Sequence, residues 1–458
     1  MTDRRAAMGM FAALAYALMA ATATAAEVAF LGATVIDGTG RTPIANAQVV
    51  VSGERIVTVG PRPRQPPPSV RAIDVTGKWI IPGMIDAHVH FFQSGGLYAR
   101  PDIIDLRARR PYAEETADVR ARIGETLARY LASGITAVVD VGGPMWNFAV
   151  REQARRTPTA PRIAVAGPLL ATFAPPQLTG DDPPIVRIRT ADEARAEVRR
   201  QLALGPDLIK IWFVFPGPDI EPEMGWVRAA IKEAHAGGAR VVAHATQRRV
   251  ARAVVTAGID ILAHGIDDGP IDAGLLALIK AKGVIYTTTL GVHGGYARVF
   301  GRVVKLNAIE RRLGDPRAIA SFADLARVSR RPTPPPFDPV AGSNLGRVRA
   351  HGVVVAAGSD AGNIGTLHGP ALHRELALMV EGGGLTPLEA LIAATRGGAA
   401  VMGRSTELGT LEPGKLADMV ILDGDPLADI RNTRRIFRVV KGGVILDPSE
   451  IISAVSVP

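Results

Sequence analysis

The sequence predicts an α/β fold, in which a (β/α)8 TIM barrel carries a small composite β-sandwich formed by the two ends of the chain. Short apolar runs alternate with helical stretches through the middle of the chain, and eight such runs can be counted. Both ends contain short strand-like segments instead. A doubly wound open sheet would usually carry a glycine-rich phosphate loop after its first strand, and the sequence has none.

Each apolar run is bounded by Gly, Pro or Asp and has the length of a buried parallel strand. The predicted strands are Trp79–Ile85, Ile135–Val141, Arg162–Gly167, Asp207–Phe213, Arg240–Ala245, Ile261–Gly265, Val284–Leu290 and Val353–Gly358. The predicted helices between them include Glu115–Ser133, Ala191–Leu204, Glu223–Ala236, Arg248–Ala257 and Gly369–Glu381. Strands separated by helices in this order are typical of a parallel barrel.

The two ends of the chain have a different character, with short β-rich segments separated by turns. Residues 27–78 contain Gln48–Val51 and Arg55–Val59, and residues 405–458 contain Ala417–Leu422 and Ile436–Val440. Neither end is long enough to close a core alone, so we expect them to pair. The predicted domains are a signal peptide at 1–26, the two parts of the sandwich at 27–78 and 405–458, and the TIM barrel at 79–404.

The first residues have the pattern of a cleaved bacterial export signal. Arg4 and Arg5 are followed by the apolar stretch Met8–Ala20, and small residues around Ala25 and Ala26 suit signal peptidase. A membrane anchor would need roughly 20 apolar residues, more than this segment offers. We therefore expect an exported protein, periplasmic or secreted, with the choice between the general and the twin-arginine route left open.

Composition narrows the classes of partner. The chain is 47% apolar and 21% charged, has no cysteine, and carries a formal net charge of +9. Its arginines are scattered, without an aromatic-interleaved basic segment, which disfavours nucleic-acid binding. No stretch after the signal peptide reads as a membrane span. We expect a small-molecule or peptide-like substrate, while the oligomeric state stays open, with a homo-oligomer among the options.

Side chains that can bind a metal or take part in catalysis lie at the carboxyl ends of the predicted strands, where the active sites of barrel enzymes lie. Two histidines two residues apart on a strand share a face. The six residues placed at strand ends are His88, His90, Lys210, His244, His264 and Asp360. Each alone has a structural explanation, as a hydrogen-bonded core histidine, a helix cap or a lysine along the barrel wall. Together they favour a metal site made of nitrogen and oxygen donors, which suits zinc and similar ions.

The remaining histidines divide into two groups. His235 and His351 each precede a glycine at a helix end that leads into a strand, so we assign them structural roles. His373 lies on a helix and is also assigned to structure. His293 and His368 follow the seventh and eighth strands and are candidate substrate-binding residues. Trp212, at the end of the fourth strand, is the third such candidate.

Several motifs together resemble the amidohydrolase superfamily over almost the whole chain that follows the signal. They are Pro82–His90, the strand with Lys210, the strands ending in His244 and His264, Gly358–Gly362 and Gly414–Val420. The similarity is strongest to the imidazolonepropionase-like branch, which includes Xaa-Pro dipeptidases and ochratoxin-hydrolysing amidases. The resemblance is specific for the superfamily and much less so for a substrate.

The resemblance implies two divalent metal ions, expected to be zinc, bridged by a carboxylated Lys210. His88, His90 and Asp360 would hold one ion, and His244 and His264 the other. A hydroxide bridging the ions would be the nucleophile. Asp360 and His264 would be the catalytic residues, with Asp360 passing a proton to the leaving nitrogen.

The resemblance also implies an enzyme, a metal-dependent hydrolase that cleaves an amide or peptide-like C–N bond. The alternatives are a mononuclear cyclic amidase or deaminase, a lactonase, and a non-catalytic binding protein on this scaffold. Two features of the sequence bear on the substrate. The segment Trp212–Pro218 is bulky and apolar where peptidase-like relatives have a small glycine-rich loop, and Arg298 and Arg302 are candidates for a lid that recognises a carboxylate.

Overall fold

The computed structural model describes residues 27–63, 70–328 and 333–455. The predicted signal peptide at 1–26 lies outside the described residues. In chain order the strands β1 to β18 are Glu27–Val35, Ile44–Ser52, Arg55–Pro61, Arg71–Asp74, Trp79–Pro82, Met84–Val89, Ile135–Asp140, Arg162–Val165, Leu169–Ala171, Ile185–Arg187, Leu208–Trp212, Arg240–His244, Ile261–Ala263, Ile285–Thr288, Val355–Ala357, Met419–Leu422, Ile436–Lys441 and Val444–Leu446.

The helices alternate with the central strands. In chain order the helices α1 to α15 are Tyr112–Ala121, Ile123–Ala132, Asn147–Arg156, Ala191–Leu202, Glu221–Ala236, Arg248–Ala257, Ala273–Ala281, Gly291–Phe300, Ala308–Leu313, Pro316–Ser321, Pro339–Ala350, Ala371–Glu381, Pro387–Ile392, Gly398–Val401 and Pro448–Ser453. Short 3₁₀ segments at Pro176–Leu178, Phe322–Arg327 and Ile430–Arg434, and a π-helical turn at Ala393–Gly397, complete the set.

Both ends of the chain contribute to one eight-stranded sheet. Its order is β18-β17-β16-β5-β1-β2-β3, with β4 pairing on β1. The two ends meet where β16 runs antiparallel to β5. Phe30, Val49, Ile80, Met419 and Val440 belong to the buried cluster of this sheet. The structure therefore contains the pairing of the chain ends that neither end could stabilise alone, while the domain boundaries stay a prediction.

The first predicted barrel strand, Trp79–Ile85, is two strands, and the prediction of one continuous strand was wrong. β5 pairs with β16 in the terminal sheet, whereas β6 pairs with β7 in parallel. The chain passes between the two sheets at Gly83. A Cβ atom there would lie 2.1 Å from Oγ1 of Thr136, so the backbone packs against β7 more closely than any side chain permits.

The central strands form two parallel sheets, which confirms the α/β class. One has the order β6-β7-β8 and the other β10-β9-β11-β12-β13-β14-β15. Single parallel bridges join them, from Ala166 to Leu208 at one end and from Val89 to Ala361 at the other. The hydrogen-bonded ladders thus stop short of one continuous barrel. All carboxyl ends of these strands nevertheless point the same way, because every pairing is parallel.

Two short strands interrupt the predicted order. β9 and β10 were not predicted, and β9 lies directly beside β11 through the pairs Leu170–Ile211 and Ala171–Trp212. Three-residue strands carry too few residues for a pattern of alternation to stand out. They add an apolar element at the carboxyl end of β11.

The helices follow the predicted spacing with shifted ends. α6 has the predicted bounds Arg248–Ala257 and ends at Gly258, whose φ of 103° is the left-handed conformation that terminates helices. The predicted helix Glu115–Ser133 is two helices, because Arg122 leaves helical geometry at φ −101° and ψ 16°. Helices α8 to α11 fill the long insertion between β14 and β15. Among the helices of the described ranges, none is both long and apolar enough to cross a membrane.

Candidate metal centre

The six residues predicted at strand ends come together. His88 lies in β6, Lys210 in β11 and His244 at the end of β12. His264 follows β13 directly, and Asp360 follows β15 after two residues. His90, one residue beyond β6, completes the set. Parallel strands bring residues that are far apart in sequence to the same edge, and the structure places these six around one point.

His88, His90 and Asp360 form the tightest group. One candidate ligand atom from each lies within 4.8 Å of the others. Oδ1 of Asp360 is 3.7 Å from Nε2 of His88 and 3.4 Å from Nε2 of His90. All three side chains are buried. Two imidazoles and a carboxylate at this spacing could hold a divalent ion of the zinc type.

His244 and His264 form a second pair beside the first group. Their ring centroids are 4.2 Å apart, and the ring of His264 is 4.6 Å from that of His88. Nδ1 of His264 lies 3.9 Å from Oδ2 of Asp360. The aspartate therefore lies between the two sets of imidazoles.

Two of these residues have unusual backbone conformations. His264 has a φ of 73° and Asp360 a φ of 53°, the left-handed region that non-glycine residues rarely adopt. A short hydrogen bond of 2.7 Å from the Asp360 N–H to the His88 carbonyl holds the aspartate in place. Strain of about 1–3 kcal/mol per residue persists only where surrounding structure enforces it, and it clusters at functional sites.

Hydrogen bonds to one nitrogen of a ring leave the other nitrogen facing the site. Nδ1 of His90 donates to the carbonyl of Gly142 at 2.7 Å. Nδ1 of His264 lies 2.8 Å from Oγ1 of Thr289. Metal-ligating histidines almost always have such a partner, which sets the tautomer and the ring orientation. Nε2 is then the nitrogen available to a ligand in both rings.

Other buried atoms of the group have no hydrogen-bond partner. Among the described residues these include both ring nitrogens of His88, Nζ of Lys210 and Oδ1 of Asp360. Burying a polar group without a partner is costly, and native proteins rarely do so. Four such atoms on three neighbouring residues form a donor set that fits a metal ion.

Burial controls the charge of the group. Burial, with the nearby Lys210 as the next cause, lowers the pKa of His90 and of His244 to about 3. Burial also lowers the pKa of Lys210 to about 7, against the attraction of Asp360, whose own pKa burial raises to about 6. The imidazoles are therefore neutral at physiological pH, the form in which they bind metals.

Asp86 supports the site from behind, and the sequence interpretation gave it no role. Its carboxylate accepts hydrogen bonds from the N–H and the hydroxyl of Ser359, at 2.8 and 2.5 Å. Ser359 immediately precedes Asp360, so Asp86 connects β6 to the chain that carries the aspartate. Its position two residues before His88 was the available signal, because residues two apart on a strand share a face.

A cavity of about 300 Å³ opens over the group. Two of the three predicted substrate-binding residues, Trp212 and His293, line it. The structure does not bring the third, His368, to the cavity. Its Nδ1 accepts from the hydroxyl of Tyr130 at 2.7 Å and its Nε2 donates to the carbonyl of Gln93 at 2.7 Å. Both nitrogens are thus used in holding the fold, and His368 is outside the lining of this cavity.

The cavity has polar lining residues that sequence reasoning missed. Arg100 donates to Oδ1 of Asn363 at 2.5 Å, and the hydroxyl of Tyr296 donates to the same oxygen at 2.8 Å. These residues occupy loops and the first turns of a helix, where no periodic pattern marks them. Only the three-dimensional structure reveals that they face the site.

The predicted lid arginines do not reach the cavity. Arg298 donates to Glu310 at 3.1 Å and to the Gly365 carbonyl at 2.9 Å. Arg302 donates to the backbone carbonyls of Leu325 and Val328. Neither guanidinium lines the cavity, so the structure gives no support to the hypothesis that they recognise a substrate carboxylate. Their charges instead hold the insertion between β14 and β15 together.

Comparisons with known proteins agree with this architecture. Residues 79–446 match the model of the amidohydrolase family. The chain is 26% identical to ochratoxinase of Aspergillus niger over 445 residues, which covers 89% of this chain and 84% of the relative. It is also 26% identical to imidazolonepropionase of Streptomyces griseus over 396 residues, covering 83% and 86% of the two chains.

Solved structures share the fold. A Xaa-Pro dipeptidase with bound methionine superposes with a TM-score of 0.71 at 22% identity, covering 92% of this chain and all of the other. Phenylurea hydrolase B superposes with a TM-score of 0.72 at 24% identity, covering 94% of this chain and all of the other. At such identities the likeness is evidence of the fold alone and does not identify a substrate.

Proposed function

Because the chain belongs to the amidohydrolase family, we propose that it is a metal-dependent hydrolase that cleaves an amide or peptide-like C–N bond. The observation that carries the proposal is the set of buried, unpartnered donor atoms on His88, Lys210 and Asp360. Without a bound metal, burying these atoms together would cost energy that nothing in the site compensates. The names of the relatives, ochratoxinase and imidazolonepropionase, agree with this class of reaction.

Two divalent ions, most simply zinc, fit the residues present. His88, His90 and Asp360 would hold one, and His244 and His264 the other. When bound, such ions lower the pKa of water towards neutrality and polarise a carbonyl. The absence of cysteine from the chain restricts the donors to nitrogen and oxygen.

The chain's own residues supply the proton transfers. Asp360, with Oδ1 unpartnered and Oδ2 near His264, is placed to take a proton from the attacking water and pass it to the leaving nitrogen. Nε2 of His264 is left to bind an ion, because its Nδ1 lies 2.8 Å from Oγ1 of Thr289. Both side chains are largely buried, and the lower local dielectric strengthens these electrostatic effects.

Lys210 would be carboxylated. The side chain is fully buried, and Nζ has no hydrogen-bond partner among the described residues. A neutral amine adds to carbon dioxide by forming an N–C bond and releasing a proton to water. The product is a carbamate whose oxygens would join the four histidines and Asp360 as ligands of the ions. This change turns an unpartnered donor into a ligand of the kind that divalent ions bind.

The proposal also covers the barrel architecture of the chain and the cellular location of the protein. The bridges Ala166–Leu208 and Val89–Ala361 support a (β/α)8 barrel over 79–404, with residues 27–78 and 405–458 as its composite sandwich. The segment 1–26 would direct export to the periplasm or the medium. The mass of the protein recovered from the producing cells tests this, because cleavage near Ala25 or Ala26 predicts a chain that begins close to Glu27.

A substrate panel tests the activity. Metal-loaded protein is offered acyl-amino acids, dipeptides, cyclic amides, lactones and amino-substituted heterocycles, with products identified by mass spectrometry. We expect turnover of open-chain amides. Exclusive turnover of cyclic amides, aminated rings or lactones would replace the proposal with one of those activities, and binding without any turnover would indicate a binding protein. A ¹³C signal of a carbamate after incubation with ¹³CO₂, absent in Lys210→Ala, tests the modification.

A further inference from the structure

One side of the active-site cavity is apolar. Leu169, Leu178, Ile185 and Trp212 all line it. They also pack against one another in a single cluster that includes Ala171. We call these four lining residues the apolar wall. The wall is built by β9, the 3₁₀ segment Pro176–Leu178, β10 and the end of β11.

The wall begins at the metal centre. Trp212 and Lys210 are two residues apart on β11 and so share a face of the strand. The indole lies edge-on to the ring of His244, with centroids 6.3 Å apart. Ala171 of β9 pairs with Trp212, so the apolar insertion is joined to the same strand that carries the lysine. A group bound against this wall would lie next to the reacting atoms.

Hydrogen bonds from Thr172 and Arg249 hold the loop that follows Trp212. Oγ1 of Thr172 donates to the carbonyl of Val214 at 2.6 Å and accepts from its N–H at 3.1 Å. The guanidinium of Arg249 donates to three successive carbonyls of the loop. These belong to Pro216, Gly217 and Pro218, at 3.2, 2.6 and 2.8 Å. These hydrogen bonds fix the backbone of the apolar loop beside the cavity.

An aromatic pair extends the apolar surface at the carboxyl ends of β9 and β11. Phe215 is 79% exposed and Phe173 is 39% exposed, and their rings meet edge to face with centroids 5.7 Å apart. Phe215 also has a φ of 49°, a strained conformation for an aromatic residue. An exposed aromatic pair on a loop whose strain the surrounding hydrogen bonds enforce is a candidate contact surface for a ligand.

We propose that the substrate carries a bulky apolar group, aromatic or branched aliphatic, on one side of its scissile amide, and that this group packs on the apolar wall. This inference rests on the proposed amide hydrolysis. The polar residues of the cavity, among them Arg100, Asp267 and His293, are left for the remainder of the substrate. Amides with only small or charged groups would leave the wall in contact with water and bind poorly.

The test uses metal-loaded protein and a set of small amides. The acyl side is either acetyl or phenylacetyl, and the amine side is either methylamine or benzylamine, so each side is enlarged separately. Calorimetry on the matching sulfonamides, which resist hydrolysis, reports binding independently of turnover. We expect one benzyl-bearing side to raise kcat/KM over the acetyl methylamide by roughly 10- to 200-fold, the range that added apolar contact provides in a pocket.

Variants connect the preference to the wall. Trp212→Ala is expected to lower the ratio of bulky to small kcat/KM at least about tenfold, and Trp212→Phe to retain most of it. Leu204→Ala is the matched control, since Leu204 is 46% exposed and precedes β11 at its opposite end. The ratio in this variant should equal that of the unmodified protein.

The outcomes separate the two proposals. Equal turnover of bulky and small amides, or a ratio that Trp212→Ala leaves unchanged, contradicts packing of a bulky substrate group on the apolar wall. Neither result contradicts amide hydrolysis. Sulfonamide binding that depends on Trp212, in a protein that cleaves none of the amides, supports the wall and contradicts amide hydrolysis. Binding of the small sulfonamide as tight as that of the bulky one also overturns the wall.

Discussion

Oδ1 of Asp360 lies 3.4 Å from Nε2 of His90, and this contact joins the first and the last of the parallel strands. The N–H of His90 donates to the carbonyl of Ala361 at 2.9 Å, and Val89 forms a bridge with the same residue. The candidate metal centre is therefore assembled at the seam between the two parallel sheets. Its geometry depends on how these two segments meet.

Replacing a metal-site histidine tests the site without disturbing the fold. His88→Ala removes a buried ring whose two nitrogens have no hydrogen-bond partner within the described part of the chain. Metal content and turnover should fall by more than about 100-fold. Loss of a ligand should cost more than loss of the hydrogen-bond partner of a ligand, which costs up to about 100-fold. The circular dichroism spectrum should be unchanged. His235→Ala, at a surface ring bonded to Asp260, is the control and should keep its metal. Full metal content in His88→Ala would count against the site.

The hydroxyl of Thr289 should tune metal affinity. It lies 2.8 Å from Nδ1 of His264, so Thr289→Val removes the partner that orients this ring. We expect metal affinity, measured by competition with a chelator, to fall about 10- to 100-fold. Thr287→Val is the matched control, because Oγ1 of Thr287 has no hydrogen-bond partner among the described residues. Equal losses in the two variants would assign the effect to packing.

Glu375 should make stability depend on pH. Its buried carboxylate accepts the N–H groups of Leu290 and Gly291 at the start of α8, yet burial raises its pKa from 4.5 to about 7. Between these two values the folded protein holds a proton on Glu375 that the unfolded chain has released. The stability that this proton contributes to the folded state is therefore lost as pH rises.

Glu375→Gln removes this titration. The free energy of unfolding, measured by urea denaturation from pH 5 to pH 7, should fall less steeply with pH in the variant than in the unmodified protein. The difference in slope should be at most about 1.4 kcal/mol per pH unit, the value for one proton. Identical slopes would mean that the carboxylate keeps its charge in the folded state.

Arg298 should matter for stability rather than for the choice of substrate. Its guanidinium pairs with Glu310, whose side chain is 2% exposed and is also held by Arg374. Arg298→Ala should lower the free energy of unfolding by about 1–3 kcal/mol, since Arg374 still covers the carboxylate. The ratio of activities on charged and neutral amides should stay the same. A change in that ratio would restore the hypothesis of a carboxylate-binding lid.

Sequence alone was sufficient for the α/β class and for the meeting of His88, His90 and Asp360, because both follow from local pattern. Apolar periodicity marks strands, and parallel strands bring their carboxyl ends to one edge. The division of the first strand at Gly83 was beyond that reasoning. It depends on a close approach to Thr136, a contact between segments distant in sequence.

The lining of the cavity was predicted only in part for the same reason. Trp212 and His293 lie next to recognisable strands, so their placement followed from the pattern. His368 also follows a strand, but Tyr130 and the Gln93 carbonyl occupy both of its nitrogens. Partners of this kind come from other elements, and no spacing within the sequence reveals them.

The proposed activity is tested most directly by a metal titration. Protein stripped with a chelator is titrated with Zn²⁺ while release of amine from the best amide is followed. We predict no cleavage without metal and activity that rises to a plateau near two ions per chain. Amide cleavage that persists in the stripped protein, or a folded and metal-loaded protein that cleaves no amide, would contradict metal-dependent amide hydrolysis at His88, His90, Lys210, His244, His264 and Asp360.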